Sequence, residues 1–329
     1  MSKTTELLTA MLNDEPIEDF TPRSRIEAYL KNCCLACGCD GLPEPITETD
    51  KLLFALTEKV AGAGGGAGEL DALIDGSITE LKSNAENVRQ YAFYDKNGNL
   101  SNLEKVTLPN AKIVNTYAFY WNCKLKTVDL PNATELKDYA FGKCRSLETI
   151  NAPKVTSIGQ YGLGSSQSYM ALGNVDFPLL TSLGESAFSL CGQLKEVTFP
   201  LLKMATSSAF STCKSLTKVD FSSLVRIDTL AFESCYILTA VILRSEIVCN
   251  LVNTAAFLDC YHLLGTVNKT YNPDGLKDGY IYVPASLVDS YKTATNWTTF
   301  ADQFRALEDY TVDGTITGEL DPAKTGVTV

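Results

Sequence analysis

The chain has 329 residues, 45% of them hydrophobic and 20% charged, a composition that can bury a sizeable core and is not that of a disordered segment. Its 28 Lys and Arg against 39 Asp and Glu give a net charge of −11, which excludes nucleic acid and anionic membrane surfaces as expected partners, because both are bound largely by neutralising phosphate. A single histidine, His262, leaves little from which to build a catalytic triad or a His-rich metal site, so no catalytic residue, no metal and no cofactor is expected.

Met1 to Leu12 hold only short apolar pairs beside Lys3 and Glu6, and a secretory signal is not expected from them. No apolar run approaches the roughly 18 residues of a membrane span, so membrane insertion is not expected either. Residues 1–60 read as a short-helix attachment domain. Thr21-Pro22 supplies an N-cap and a first-turn proline, and Ile26, Tyr29, Leu30, Cys33, Cys34 and Cys37 follow at helical spacings. The pattern restarts at Pro45 with Leu52 and Leu53 on the apolar face. So small a helical unit is expected to attach to an assembly partner or to itself. Cys33, Cys34, Cys37 and Cys39 invite a zinc or iron–sulfur reading. Three of them share the face of Ile26 and Leu30, so core packing is the expectation and metal binding the open alternative. Residues 61–68, AGAGGGAG, are a flexible linker by composition.

Residues 69–270 form a repeat array. An Ala-Phe pair recurs at Phe93, Phe119, Phe141, Phe188, Phe210, Phe232 and Phe257, with Gly162-Leu163 filling the one gap. A cysteine follows three residues later at Cys144, Cys191, Cys213, Cys235 and Cys260, and four later at Cys123. Next comes L-x-x-V/I-x-apolar, often closed by proline, as in Leu125-Val128-Leu130-Pro131. A further apolar position precedes each Phe by five: Val88, Val114, Leu136, Ile158, Leu183, Ala205, Ile227 and Val252. Units of about 22 residues with period-2 stretches, none able to bury its own inward side chains, predict a mainly β solenoid whose Phe and Cys form buried ladders. The longer spacings map to Asp95–Asn99 and Gly164–Ala171, which are expected to bulge outward.

L-x-x-V-x-L-P followed by x-x-A-F-x-x-C resembles the leucine-rich repeats of bacterial BspA-like surface proteins, over roughly Ile78 to Val267. Tyr280 to Phe304 resembles the segment that caps such arrays, within residues 271–329 taken as cap and tail. The resemblance implies adhesion or ligand binding without catalysis. The N-terminal TPRSRIEAYL unit, with its cysteines and glycine linker, resembles prophage-encoded virion proteins of the tail or fibre type. A virion component that recognises a host cell-surface protein or glycan is therefore the first expectation, and a bacterial cell-surface adhesin the alternative.

Two groups of exposed positions could carry recognition. Lys105, Thr127, Thr149, Asn174, Glu196 and Lys218, with Thr107, Asp129, Asn151, Asp176, Thr198 and Asp220 beside them, stack as polar strand columns and read first as a solvated sheet face. Tyr91, Tyr117, Tyr139 and Tyr161 precede the Ala-Phe pair in four consecutive units, with Tyr94, Tyr120 and Trp121 nearby, whereas later units have Ser186, Ser208, Leu230 and Ala255 there. At about 4.8 Å per coil the four tyrosines predict a ridge, either a packing ladder or a binding surface of large amphipathic side chains. Tyr91, Tyr117, Tyr139, Tyr161, Tyr120 and Trp121 are the candidate binding residues. His262 is assigned no role.

Overall fold

A computed structural model describes residues 79–84, 86–88, 90–94 and 102–310. The helical unit at 1–60, the linker at 61–68, Cys33, Cys34, Cys37 and Cys39, the excursion Asp95–Asn99 and the tail after 310 lie outside the described residues.

Each unit folds into one coil, and all but one of the described coils have a longer and a shorter strand. The longer strands β1 (Glu80–Lys82), β3 (Lys105–Thr107), β5 (Thr127–Asp129) and β7 (Thr149–Asn151) pair in parallel in that order. The shorter strands β2 (Asn87–Val88), β4 (Ile113–Val114), β6 (Glu135–Leu136), β8 (Ser157–Ile158) and β9 (Ser182–Leu183) make a second parallel sheet. The register aligns the repeat with itself, Val106 against Val128 against Ile150 on one sheet and Val114 against Leu136 against Ile158 on the other. In β3, β5 and β7 the central residue is buried between two more exposed neighbours, the alternation that a pleated strand with one face on a core requires. Pro109, Pro131 and Pro153 follow these strands, and a residue without an N–H cannot extend a parallel ladder.

The longer sheet resumes with β10 (Glu196–Thr198), β12 (Lys218–Phe221) and β14 (Ala240–Leu243), and the shorter one with β11 (Met204–Ala205), β13 (Arg226–Ile227) and β15 (Asn250–Leu251). Residues 174–177 of the intervening coil carry no strand. After the last coil, β16 (Tyr280–Val283) and β17 (Phe304–Ala306) add to β14 in parallel. A short helix α1 (Tyr261–Leu264) precedes β16, and α2 (Val288–Thr293) lies between β16 and β17. Tyr291, Trp297 and Phe300 are buried there, with the Phe300 ring 5.3 Å and the Trp297 ring 6.1 Å from Phe257. Among the described residues no helix is long and apolar enough to cross a membrane.

The core is a set of columns along the array. Phe93, Phe119 and Phe141 stack at 4.9 and 5.1 Å, and Phe188, Phe210, Phe232 and Phe257 stack at 5.5, 5.3 and 5.4 Å. Leu163 separates the two runs, and beside it Gly162 stands where the other units have Ala: a Cβ there would lie 2.6 Å from Ile158 Cγ2. Phe93, at the start of the described array, is only half-buried, and the other six are fully buried.

The described cysteines are free and buried. The thiols of Cys144, Cys213, Cys235 and Cys260 donate to the carbonyls of Phe119, Phe188, Phe210 and Phe232, each on the preceding coil, at 3.0–3.2 Å. Cys123 is not a member of this column, contrary to the expectation. Asn122 occupies its place, three residues after Phe119 as Cys144 is after Phe141, and donates through Nδ2 to the Phe93 and Phe119 carbonyls at 2.6 and 2.9 Å; Cys123 is the next residue along. Val252 is likewise displaced. The strand partner of Ile227 is Leu251, so Leu251 is buried and Val252 exposed, because Asn253 caps an inserted 3-10 turn at Thr254–Phe257. Gly164–Ala171 does not simply bulge. Ser165 and Met170 are buried, and the Ser165 hydroxyl accepts the Gln167 and Ser168 amides at 3.2 Å, folding the excursion back onto the coils.

Candidate binding surface

Each coil turns from its shorter strand toward the Phe through a residue in the left-handed region, at φ between 49° and 60° for Tyr91, Tyr117, Tyr139, Tyr161, Ser186, Ser208 and Leu230. A second such residue follows the Phe at Trp121, Lys143, Leu190, Thr212 and Ser234. Left-handed backbone at a non-glycine residue costs about 1 kcal/mol or more, and the neighbouring coils hold it. The amides of Tyr117 and Tyr139 donate to the Asp138 and Gln160 carbonyls at 3.0 and 2.8 Å.

The left-handed backbone turns the four tyrosines out of the core column into a stack of their own. Tyr91, Tyr117, Tyr139 and Tyr161 lie at centroid separations of 5.1, 4.7 and 5.2 Å, with the first two pairs within 6° of parallel. Tyr94 and Tyr120 form a second row, stacked at 5.5 Å and edge-on to Tyr117 at 6.4 and 5.1 Å. The second row ends at Gly142, where a Cβ would stand 3.0 Å from the Tyr120 ring. Trp121 meets Tyr120 edge-on at 6.0 Å. Structure thus brings all six candidate residues together. Tyr91 is buried, and Tyr117, Tyr120, Trp121, Tyr139 and Tyr161 are partly exposed. Burial, reinforced by the neighbouring Tyr117 and Tyr161 phenols, pushes the Tyr139 hydroxyl up to about 12.

Lys143 closes the end of this surface. Its ammonium lies 4.5 Å from the Trp121 ring centroid and 5.5 Å from that of Tyr120, and donates to Gln167 Oε1 at 2.9 Å. Burial holds its pKa below the usual lysine range.

The polar strand columns and the residues that flank them pair from coil to coil. Lys105 meets Glu80 at 2.8 Å, Lys126 meets Glu104 at 2.8 Å, Asn151 donates to Asp129 at 2.7 Å, and Lys218 pairs with Glu196. Among the described residues no group of three His, Cys, Asp or Glu side chains could hold a metal ion.

One cluster escaped the sequence reading. Tyr236 stacks with Tyr261 at 5.4 Å and with Tyr271 at 4.4 Å, and Lys214 Nζ lies 4.0 Å from the Tyr169 ring centroid. Tyr169 and Tyr271 come from segments that interrupt the repeat, so no column of the sequence announces them; the interruptions themselves were the available signal. His262 ties down the second segment, with Nδ1 2.6 Å from Asp278 Oδ1 and Nε2 3.1 Å from the Tyr271 carbonyl.

The described array matches the BspA type leucine rich repeat region over residues 76–169 and 166–272. Two solved structures are similar to it. A leucine rich cell surface protein from Faecalibacterium prausnitzii is 16% identical over 55% of this chain and 76% of its own, with a TM-score of 0.24. A leucine-rich repeat protein from Bacteroides ovatus is 20% identical over 72% of this chain and 86% of its own, with a TM-score of 0.21. No curated protein matches the chain.

Proposed function

The chain belongs to the BspA-type leucine-rich-repeat family, and on that premise we propose that it is a non-enzymatic surface-binding protein of the adhesin class whose recognition surface is the tyrosine ridge of its first coils. The observation that carries this reading is that Ser186 and Ser208 occupy the same backbone position at φ 57° and 55° as the tyrosines do at 49–58°. The fold therefore does not require an aromatic ring there, and four consecutive rings call for a reason outside the fold. Tyrosine offers large amphipathic area with few rotatable bonds, which suits recognition. The ligand class is a cell-surface protein or glycan. The virion setting rests on residues 1–60, outside the described residues, and gains no support from the array; the cell-surface setting is the one adopted.

The test is adhesion of the full chain and of Tyr117→Ser/Tyr139→Ser to intact animal and bacterial cells and to immobilised saccharides. The double variant is expected to stay folded, with Tm lower by only a few degrees, about 2–4 °C for each kcal/mol of stacking lost, and to bind about tenfold more weakly or worse. A double variant that adheres as well as the parent would return the ridge to a packing role.

A further inference from the structure

Among the described residues Lys143 is a cation without a counter-ion. Its residue is buried to 9% exposure, and it makes no ion pair among the described residues, where ten other ion pairs occur. An ammonium has three N–H donors. One goes to Gln167 Oε1, and the rings of Trp121 and Tyr120 face the remainder. In a chain of net charge −11, keeping a lysine apart from every described carboxylate while covering most of it is costly unless a ligand supplies the anion. Gln167 comes from the excursion Gly164–Ala171, and insertions in repeat arrays commonly build the binding face.

We infer that Lys143, with Trp121, Tyr120 and Gln167, is the carboxylate-recognition end of the tyrosine ridge, and that the ligand is an acidic saccharide. This rests on the ridge reading above and names its ligand class. A saccharide fits better than a polypeptide because the surface presents phenol hydroxyls, an indole, an amide and an ammonium but no exposed aliphatic side chain. All the exposed large hydrophobics of the described chain, such as Leu179, Leu258, Val267 and Leu276, lie beyond residue 161. Protein hot spots, by contrast, are built around desolvated apolar anchors. The sugar ring would lie along the tyrosines with its carboxylate at Lys143 Nζ, a charge-assisted hydrogen bond in a partly dry site.

Calorimetric titration of the full chain with oligogalacturonate and with a neutral galacto-oligosaccharide of the same length tests this. The parent is expected to bind the acidic oligomer about tenfold or more tightly than the neutral one, with a preference that falls as salt rises. In Lys143→Met, and in Lys143→Asn, whose side chain tolerates left-handed backbone, the preference is expected to fall toward one; Lys143→Arg is expected to keep part of it. Equal affinity of the parent for the two oligomers, or a preference that survives in both uncharged variants, would overturn the assignment. If the parent binds neither oligomer but still adheres to cells through Tyr117 and Tyr139, the saccharide class falls and the ridge stands. If the Tyr117→Ser/Tyr139→Ser variant adheres like the parent, both fall.

Discussion

At the scale of single residues, the cysteine column shows why this side chain recurs where a valine would fill similar space. The thiol is a small apolar group with a weak donor, and here the donor finds the phenylalanine carbonyl of the coil before it. Burial raises Cys213 from 9.0 to about 12, and Tyr139 moves from 10.0 to about 12 by burial as well. Both groups are held protonated in the folded chain. Between the unfolded and folded values the unfolded chain loses its proton first, so the stability they contribute is complete below about pH 9 and is lost as pH rises toward 12. Denaturation at intervals from pH 8 to 12 should therefore show a falling midpoint. Cys213→Ala should cost about 1 kcal/mol or more at neutral pH through the cavity it leaves and should flatten part of that fall. An equal decline in parent and variant would mean that Cys213 is not among the groups responsible.

At the scale of elements, the coil around Leu163 is the weak joint. There the phenylalanine stack is interrupted by Leu163, and the longer sheet has no strand at residues 174–177. The shorter sheet alone runs on, through β8 and β9. Repeat arrays derive their cooperativity from interfaces between neighbouring coils, so a coil with fewer interfaces opens more easily. Amide hydrogen exchange should be faster at Asn174, Val175 and Asp176 than at Glu196, Val197 and Thr198, which hold the equivalent positions one coil later. Equal protection would show that the joint is as firm as its neighbours. The sequence announced where the joint lies, since Gly162-Leu163 replaces Ala-Phe, but not that the strand would be lost. Strand pairing is decided by the neighbour as much as by the segment itself, and Gly173 and the folded-back excursion alter that neighbour.

At the scale of the whole molecule, the array was legible because each coil repeats one pattern of inward side chains, and a pattern seen seven times over exposes its own rule. What stayed hidden came from one substitution, one inserted residue and the sign of the backbone angle. Asn122 took the place assigned to Cys123 because its amide donates to the preceding coil's Phe carbonyl as the thiols do elsewhere, and Leu251 took that of Val252 because one added residue before Phe257 shifts the column without changing its composition. The left-handed tyrosines were invisible because Tyr is not a residue type that advertises positive φ, and Ser186 and Ser208 in equivalent units give no more hint of it. The grouping of Tyr91, Tyr117, Tyr139 and Tyr161 was readable from spacing; Lys143 holds the place of Trp121 one unit on, and only its partner Gln167 comes from an excursion whose path the sequence leaves open. Because β5 pairs with β7 through Thr127 and Thr149, and β10 with β12 through Glu196 and Lys218, removal of one full repeat should rejoin equivalent positions. Deleting residues 194–215 should leave a folded array that adheres like the parent. Deleting 117–138 should also fold, by circular dichroism, yet bind more weakly, since it removes one tyrosine of the ridge along with Tyr120 and Trp121. Aggregation of both would show that coils are not interchangeable.

The spacing of the ridge is set by hydrogen bonds between coils and not by the rings, which merely ride on the backbone at 4.7–5.2 Å. Such a surface is a ruler whose graduations are fixed by the peptide group and whose markings can be rewritten one at a time. Adding a coil lengthens the scale by one graduation, and exchanging Tyr for Ser erases a mark without bending the rule. A lineage of such proteins can therefore tune how long a ligand it measures by counting coils, while the core that holds the scale rigid stays the same.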